Sequence, residues 1–219
     1  MLELQSNKNN NLEKAILLSN KPIVDGVNVF LDRDGVVIRD KHYLSNPDKV
    51  ELELGSYELL EWLGKKGVNA IIVTNQSGIS RGLFSWNDYI AVTERMLEKL
   101  NYPKALLGIY ANGYSSDDSK NTWRKPNPGM FIEAGKQFNL NKKKSVVVGD
   151  RLTDIVSGAR AGIGEACHVL TGHGQESREK VMEAMNQDWQ VTYGCKKPNI
   201  RLISNVSDTY TSINNVLKK

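Results

Sequence analysis

The chain has 219 residues, 40% of them hydrophobic, enough to bury one substantial core, and a single domain with embellishments is expected. Lysine and arginine total 29 against 25 acids, and the resulting formal charge of +4 is too small to argue for nucleic acid or an anionic membrane surface. No apolar run reaches the roughly 20 residues of a membrane-spanning helix, and with Cys167 and Cys195 as the only cysteines there is no disulfide framework or four-cysteine metal site, so a cytoplasmic protein is expected.

Residues 1–25 open "MLELQSNKNNNLEKAILLSN", which lacks a secretory pattern and reads as a polar N-terminal extension with a short helix. From there strand-like runs recur: "VNVFL" (27–31), "NAIIV" (69–73), "LLGIY" (106–110), "SVVVG" (145–149) and "ACHVL" (166–170). They are apolar throughout rather than alternating, as strands buried on both faces are. Helical patterns lie between them. In 56–67 Leu59, Leu60 and Leu63 share a face and a glycine ends the run, while 85–100 opens with Ser85 and Asp88 spaced as a capping box. Asn127 and Pro128 start another helix (127–138), and 152–162 and 207–217 complete the set. Alternating strands and helices predict an α/β fold with a doubly wound, mostly parallel sheet, and the stretches after "DRDG" and "TNQSG" are too short for a large cap domain. The one long non-periodic connection is 111–127.

The first strand ends abruptly in "DRDG". Carboxylates are costly to bury, so two at the rim of a core sheet ask for a use. In doubly wound sheets the ligand sits beyond the carboxyl ends of the strands. Asp32 and Asp34 follow the first strand, "TNQSG" (74–78) the second and Asp150 the fourth, and Lys125 precedes a helix. The chemistry these residues compose is phosphoryl transfer through an aspartyl-phosphate. One carboxylate attacks phosphorus, a second protonates the leaving oxygen and then activates water, and Mg²⁺ takes carboxylate oxygens from Asp32 and Asp150. A hydroxyl, amides and an ammonium must surround the charge spread over the phosphoryl oxygens, roles that Thr74, the amides after it and Lys125 fit.

"FLDRDGVV", "VVTNQSG", "RKPNPGM" and "VVGDRLTDI", in that order, resemble the four motifs of the haloacid dehalogenase superfamily of phosphatases over residues 26–173. The resemblance implies Asp32 as nucleophile, Asp34 as acid/base, and Thr74 and Lys125 stabilising the phosphoryl group. It further implies metal ligation by Asp32, Asp150 and the backbone carbonyl of Asp34. With "DKHY" and "TNQSGISRG", the chain is similar more narrowly to the D-glycero-D-manno-heptose-1,7-bisphosphate phosphatases, grouped with histidinol-phosphate phosphatases. That likeness implies substrate contacts from Asp40, Tyr43, Asn75, Gln76, Ser77, Arg124 and Arg151, and a phosphorylated sugar as partner. Many members carry a zinc loop of three cysteines and a histidine, but Ala111, Gly113, Asn121 and Trp123 stand in those places, so no zinc is expected there. Residues 174–200 depart from the subfamily as an insertion, for which a small helix and a surface loop are expected.

The expected function is a Mg²⁺-dependent phosphomonoesterase removing the 7-phosphate of a heptose bisphosphate in nucleotide-activated heptose synthesis, by a monomer. The rival within the class is another phosphatase of the group, acting on histidinol phosphate or a nucleic-acid 3′-phosphate. The absence of a basic–aromatic stripe argues against nucleic acid. The rival from another class is a non-catalytic sugar-phosphate-binding protein, against which the full acidic set and Lys125 speak.

Overall fold

The computed structural model describes the chain except residues 1, 2, 4, 8, 9, 19, 24, 25, 117–121 and 219. Among the described residues the strands are β1 (Gln5–Asn7), β2 (Asn10–Leu17), β3 (Asn28–Leu31), β4 (Asn69–Asn75), β5 (Leu106–Asn112), β6 (Ser145–Gly149), β7 (Glu165–His168) and β8 (Asn199–Leu202). They form one sheet in the order β1-β2-β5-β4-β3-β6-β7-β8. β3 to β8 run parallel to one another, and β1 and β2 are antiparallel additions at the β5 edge. The chain builds outward from β3 to β4 and β5, then returns to lay β6, β7 and β8 on the other side. The switch point of the topology therefore falls between β3 and β6, where a crevice opens at the strands' carboxyl ends.

The α-helices among the described residues are α1 (Ser56–Lys66), α2 (Trp86–Lys99), α3 (Gly129–Gln137), α4 (Leu152–Arg160), α5 (Gly174–Met185), α6 (Trp189–Tyr193) and α7 (Tyr210–Leu217). Side chains on successive strand residues point to opposite faces, and the packing divides accordingly. Val29, Leu31, Ala70 and Ile72 meet Leu59, Leu63, Met96 and Ile213 of α1, α2 and α7 on one face. Phe30, Ile71, Val73 and Val147 meet Phe131, Ile155, Val181 and Trp189 of α3 to α6 on the other. The capping box read at Ser85 and Asp88 is present at the start of α2. α3 starts later than the sequence suggests, with Pro128 rather than Asn127 at its cap, and the Asn127 carbonyl instead accepts the Ser157 hydroxyl at 2.6 Å.

Two expectations need correction. The helix expected in the N-terminal extension is strand β2, although Glu13, Lys14 and Ala15 favour helix. The open edge of β5 offers a full row of backbone partners, and pairing from Glu13↔Asn112 to Leu17↔Gly108 outweighs local propensity. The segment 174–200 holds two helices and leads into β8, and it is tied to the core. Trp189 is 2% exposed, and its indole Nε1 donates to the Ala184 carbonyl at 2.7 Å. Among the described residues no helix is long and apolar enough to cross a membrane.

Trp189→Ala removes an indole from the sealed second core and should cost about 3–5 kcal/mol. Urea denaturation measures this, and a loss near zero would mean that α5 and α6 are not part of the cooperative unit.

Candidate active site

Every sequence-singled site residue lines one cavity of about 390 Å³ at the carboxyl ends of β3, β4 and β6: Asp32, Asp34, Asp40, Tyr43, Thr74, Asn75, Gln76, Ser77, Arg124, Lys125, Asp150 and Arg151. The floor is built by strand ends. β3 delivers Asp32, whose Oδ1 accepts the Arg33 amide at 2.7 Å and the Lys125 ammonium at 2.9 Å. Lys125, 3% exposed, also donates to the Val73 carbonyl at 3.0 Å, and its ammonium forms an ion pair with Asp154 Oδ1 at 2.6 Å. Burial alone would lower its pKa, but Asp154 and Asp32 outweigh it and keep Lys125 charged. Asn75 holds this lysine's backbone from both sides, accepting from its amide at 3.1 Å and donating to its carbonyl at 3.3 Å.

Asp34 turns toward β4. The Arg33 guanidinium grips it at 3.1 and 3.0 Å, and Gln76 Nε2 donates to it at 2.9 Å, with the Thr74 hydroxyl at 3.4 Å. Arg33 is 1% exposed and lies 5.2 Å from the Tyr89 ring, a desolvated cation bound to one carboxylate and one aromatic face. Gln76 Nε2 also lies 2.8 Å from Thr74 Oγ1.

Asp150 follows β6. Its Oδ2 accepts the His173 amide at 2.7 Å, and its backbone carbonyl accepts from His168 Nε2 at 2.9 Å. Burial first, and the Arg178 charge second, push His168 down to about 4, so the ring is neutral. Arg178 Nε donates to Nδ1 at 3.1 Å, which leaves the ring proton on Nε2, facing that carbonyl. Gly35 (φ 79°) and Gly172 (φ 56°) crowd the Asp150 carboxylate: a Cβ on either would sit 2.6 or 2.3 Å from its Oδ2. Only glycine permits both the left-handed backbone and this approach.

Asp32, Asp150 and Asp154 place one carboxylate oxygen each within 4.8 Å of one another. Burial, with the neighbouring acids behind it, raises Asp32 to about 7 and Asp150 to about 8. Asp150 Oδ1 is buried without a hydrogen-bond partner. A hard divalent cation taking carboxylate oxygens fits these residues: it satisfies that orphan atom and offsets the repulsion that raises both acids.

The sequence reading passed over Asp154, Arg33, Arg81 and His173, which also line the cavity. The signal for Asp154 was present, since it closes "GDRLTD" at the third position of α4, where its Oδ2 accepts the Arg151 amide at 2.9 Å. Arg81, which donates to the Tyr43 hydroxyl at 2.7 Å, gave no local signal, because only folding brings that loop to the rim. In the long connection, Trp123 fills core, 5.6 Å from the Tyr110 ring, and Arg124 Nη1 donates to the Tyr114 carbonyl at 3.0 Å. Asn121 lies outside the described residues.

Comparison with known proteins finds phosphatases. A HAD-hydrolase-like family model matches residues 122–192. The chain is 37% identical over 144 residues to a D-glycero-beta-D-manno-heptose-1,7-bisphosphate 7-phosphatase of Mesorhizobium japonicum, covering 63% of this chain and 66% of that protein. It is 36% identical over 151 residues to a D-glycero-alpha-D-manno-heptose-1,7-bisphosphate 7-phosphatase of Photorhabdus laumondii, covering 66% and 82%. Among solved structures, a D,D-heptose 1,7-bisphosphate phosphatase from B. bronchiseptica, complexed with magnesium and phosphate, superposes with a TM-score of 0.69 at 25% identity, covering 88% of this chain and 98% of that one.

The raised acids make a stability prediction. A carboxyl whose folded pKa lies above its unfolded value near 3.8 stabilises fully below that value and loses the contribution as pH rises through the folded pKa. In chelator, the melting temperature should therefore fall between about pH 4 and pH 8, and added divalent cation should restore more at pH 8 than at pH 5. A cation effect that shrinks toward pH 8 would contradict the reading of the triad.

Proposed function

This chain belongs to the D-glycero-D-manno-heptose-1,7-bisphosphate 7-phosphatase family of HAD phosphatases, and from that membership and the site geometry we propose that it removes one phosphate from a bisphosphorylated heptose through an aspartyl-phosphate on Asp32. The observation that carries the reading is a single cavity with the Asp32–Lys125 pair on its floor and three arginines, Arg81, Arg124 and Arg151, in its walls. The floor suits the reacting phosphate, and the guanidinium forks suit a second anionic group. The magnesium and phosphate held by the B. bronchiseptica structure support Mg²⁺ as the cation.

The residues then act as follows. Lys125 and the Arg33 amide hold Oδ1 of Asp32 and so orient the carboxylate for attack on phosphorus. The phosphorus–oxygen bond to the sugar breaks as the bond to Asp32 forms, and Asp34 delivers its proton to the departing oxygen. Asp34 then takes a proton from water, which attacks the acyl phosphate, releases inorganic phosphate and restores Asp32. The Arg33 fork and Gln76 keep Asp34 in one rotamer through both halves. Thr74, with Gln76 on its hydroxyl, presents a donor to the phosphoryl oxygens beside Lys125. Asp32, Asp150 and Asp154 would hold Mg²⁺, with the Asp34 carbonyl as a further oxygen, and the ion supplies positive charge to offset that of the transferring phosphoryl group.

A phosphate-release screen over sugar phosphates, with and without Mg²⁺, tests the proposal directly: heptose 1,7-bisphosphate should be the preferred substrate, and release should need Mg²⁺. Preference for histidinol phosphate would replace the substrate assignment. Asp32→Asn should abolish turnover in a folded protein, and Asp34→Asn should lower kcat by about 10²–10⁴-fold; a normal rate from either would remove that residue from its role. Arg124→Ala should weaken kcat/KM for the bisphosphate by about 1.5–3 kcal/mol, the range of charged hydrogen bonds, and hit an aryl phosphate much less. Equal losses would mean that Arg124 serves the fold, through the Tyr114 carbonyl, or the reacting phosphate.

A further inference from the structure

At the rim of the same cavity Asp40, His42 and His173 place one ligating atom each within 4.8 Å of one another. We propose that these three side chains form a second metal site, distinct from the aspartate triad, for a borderline-soft divalent transition ion such as Zn²⁺. The donor chemistry separates the two. The triad offers carboxylate oxygens only, which suit Mg²⁺, whereas two imidazoles and one carboxylate suit zinc, cobalt, nickel or copper.

The spacing is close to what such an ion needs. In a tetrahedral zinc site with bonds of about 2.0–2.2 Å, neighbouring donors lie about 3.3 Å apart. Asp40 Oδ2 and His173 Nε2 are 2.9 Å apart, and the His42 and His173 rings are 5.6 Å apart between centroids, so a small turn of the exposed His42 side chain closes the set. The His42 amide bonds Asp40 Oδ1 at 2.9 Å, tying two of the ligands into one turn. The other ring nitrogen of His173, Nδ1, lies 3.2 Å from Glu176 Oε2. A carboxylate behind a histidine, holding the Nδ1 proton so that Nε2 presents its lone pair, is the arrangement that orients imidazoles in metal sites. The main chain of His173 is anchored separately, by its amide on Asp150 Oδ2, so the imidazole is positioned without depending on its own contacts.

The competing account is a protonated His173 clasped between Asp40 and Glu176 as an ion pair. Metal binding distinguishes the two, and reading it by spectroscopy keeps the result independent of turnover and of the substrate assignment. The full chain, saturated with Mg²⁺, is titrated with Co²⁺ and followed in visible absorption, where four-coordinate Co²⁺ with nitrogen ligands absorbs strongly and a six-coordinate oxygen site faintly. One equivalent of the strong band is expected. It should vanish in His42→Ala and in His173→Ala, persist in Asp32→Asn, and weaken in affinity by about tenfold in Glu176→Gln. The chain has three histidines, and both ring nitrogens of the third, His168, are engaged by the Asp150 carbonyl and Arg178. Nitrogen hyperfine coupling from two imidazoles in Cu²⁺ spectra of the unmodified protein therefore reports this site without any substitution. Absence of the Co²⁺ band and of the nitrogen coupling, or a band that survives both histidine substitutions, would overturn the proposal.

Discussion

The buried ammonium of Lys125, between Asp32 at 2.9 Å and Asp154 at 2.6 Å, is the interaction on which the site depends. Four carboxylates meet on the floor of this crevice, those of Asp32, Asp34, Asp150 and Asp154, and among the described residues the cations paired with them directly are two, Lys125 and Arg33. The shortfall of two charges is that of one divalent ion. The protein leaves it concentrated on Asp32 and Asp150, the acids that burial and mutual repulsion push up to about 7 and 8, while Arg33 settles Asp34 with a bidentate grip. Uncompensated charge in a dry site is expensive. Here it falls on Asp32 and Asp150, two of the three acids whose oxygens could together hold a divalent cation.

The sheet makes that concentration possible. Reversal of strand order between β3 and β6 leaves no loop between Asp32 and Asp150, so two carboxylates from residues 118 positions apart share one crevice. The glycines at 35 and 172 bring two backbone turns against Asp150. A chain of bonds behind it runs from Arg178 on α5 through neutral His168 to the Asp150 carbonyl. Segment 174–200 is thus mechanically connected to Asp150, besides burying Trp189.

The rim is built differently from the floor. Residues 40–43, with His42 and Tyr43 in the left-handed region (φ 45° and 53°), fold over toward His173 and Arg81 and make their contacts through side chains: Asp40 to His173, Tyr43 to Arg81. Such contacts are adjustable where strand ends are not, and the rim is where a phosphatase of this architecture can vary its substrate without touching its chemistry.

The amino-acid sequence by itself determined the β3 to β7 core of the sheet and which residues line its crevice, because apolar runs and the acids that follow them are local patterns. Asp32, Asp34, Thr74, Lys125 and Asp150 were legible for that reason, each standing at or just beyond the end of a strand or, for Lys125, shortly before a helix. What only the tertiary structure decided were features that depend on a distant partner. β2 is a strand because β5 has an open edge, against the helical preference of its own residues. Arg81, Glu176 and His173 matter through neighbours that folding brings to them, across separations that no periodicity records. Backbone pattern is encoded over a few residues, whereas the pairing of one side chain with another far along the chain exists only once the sheet has closed the distance between them.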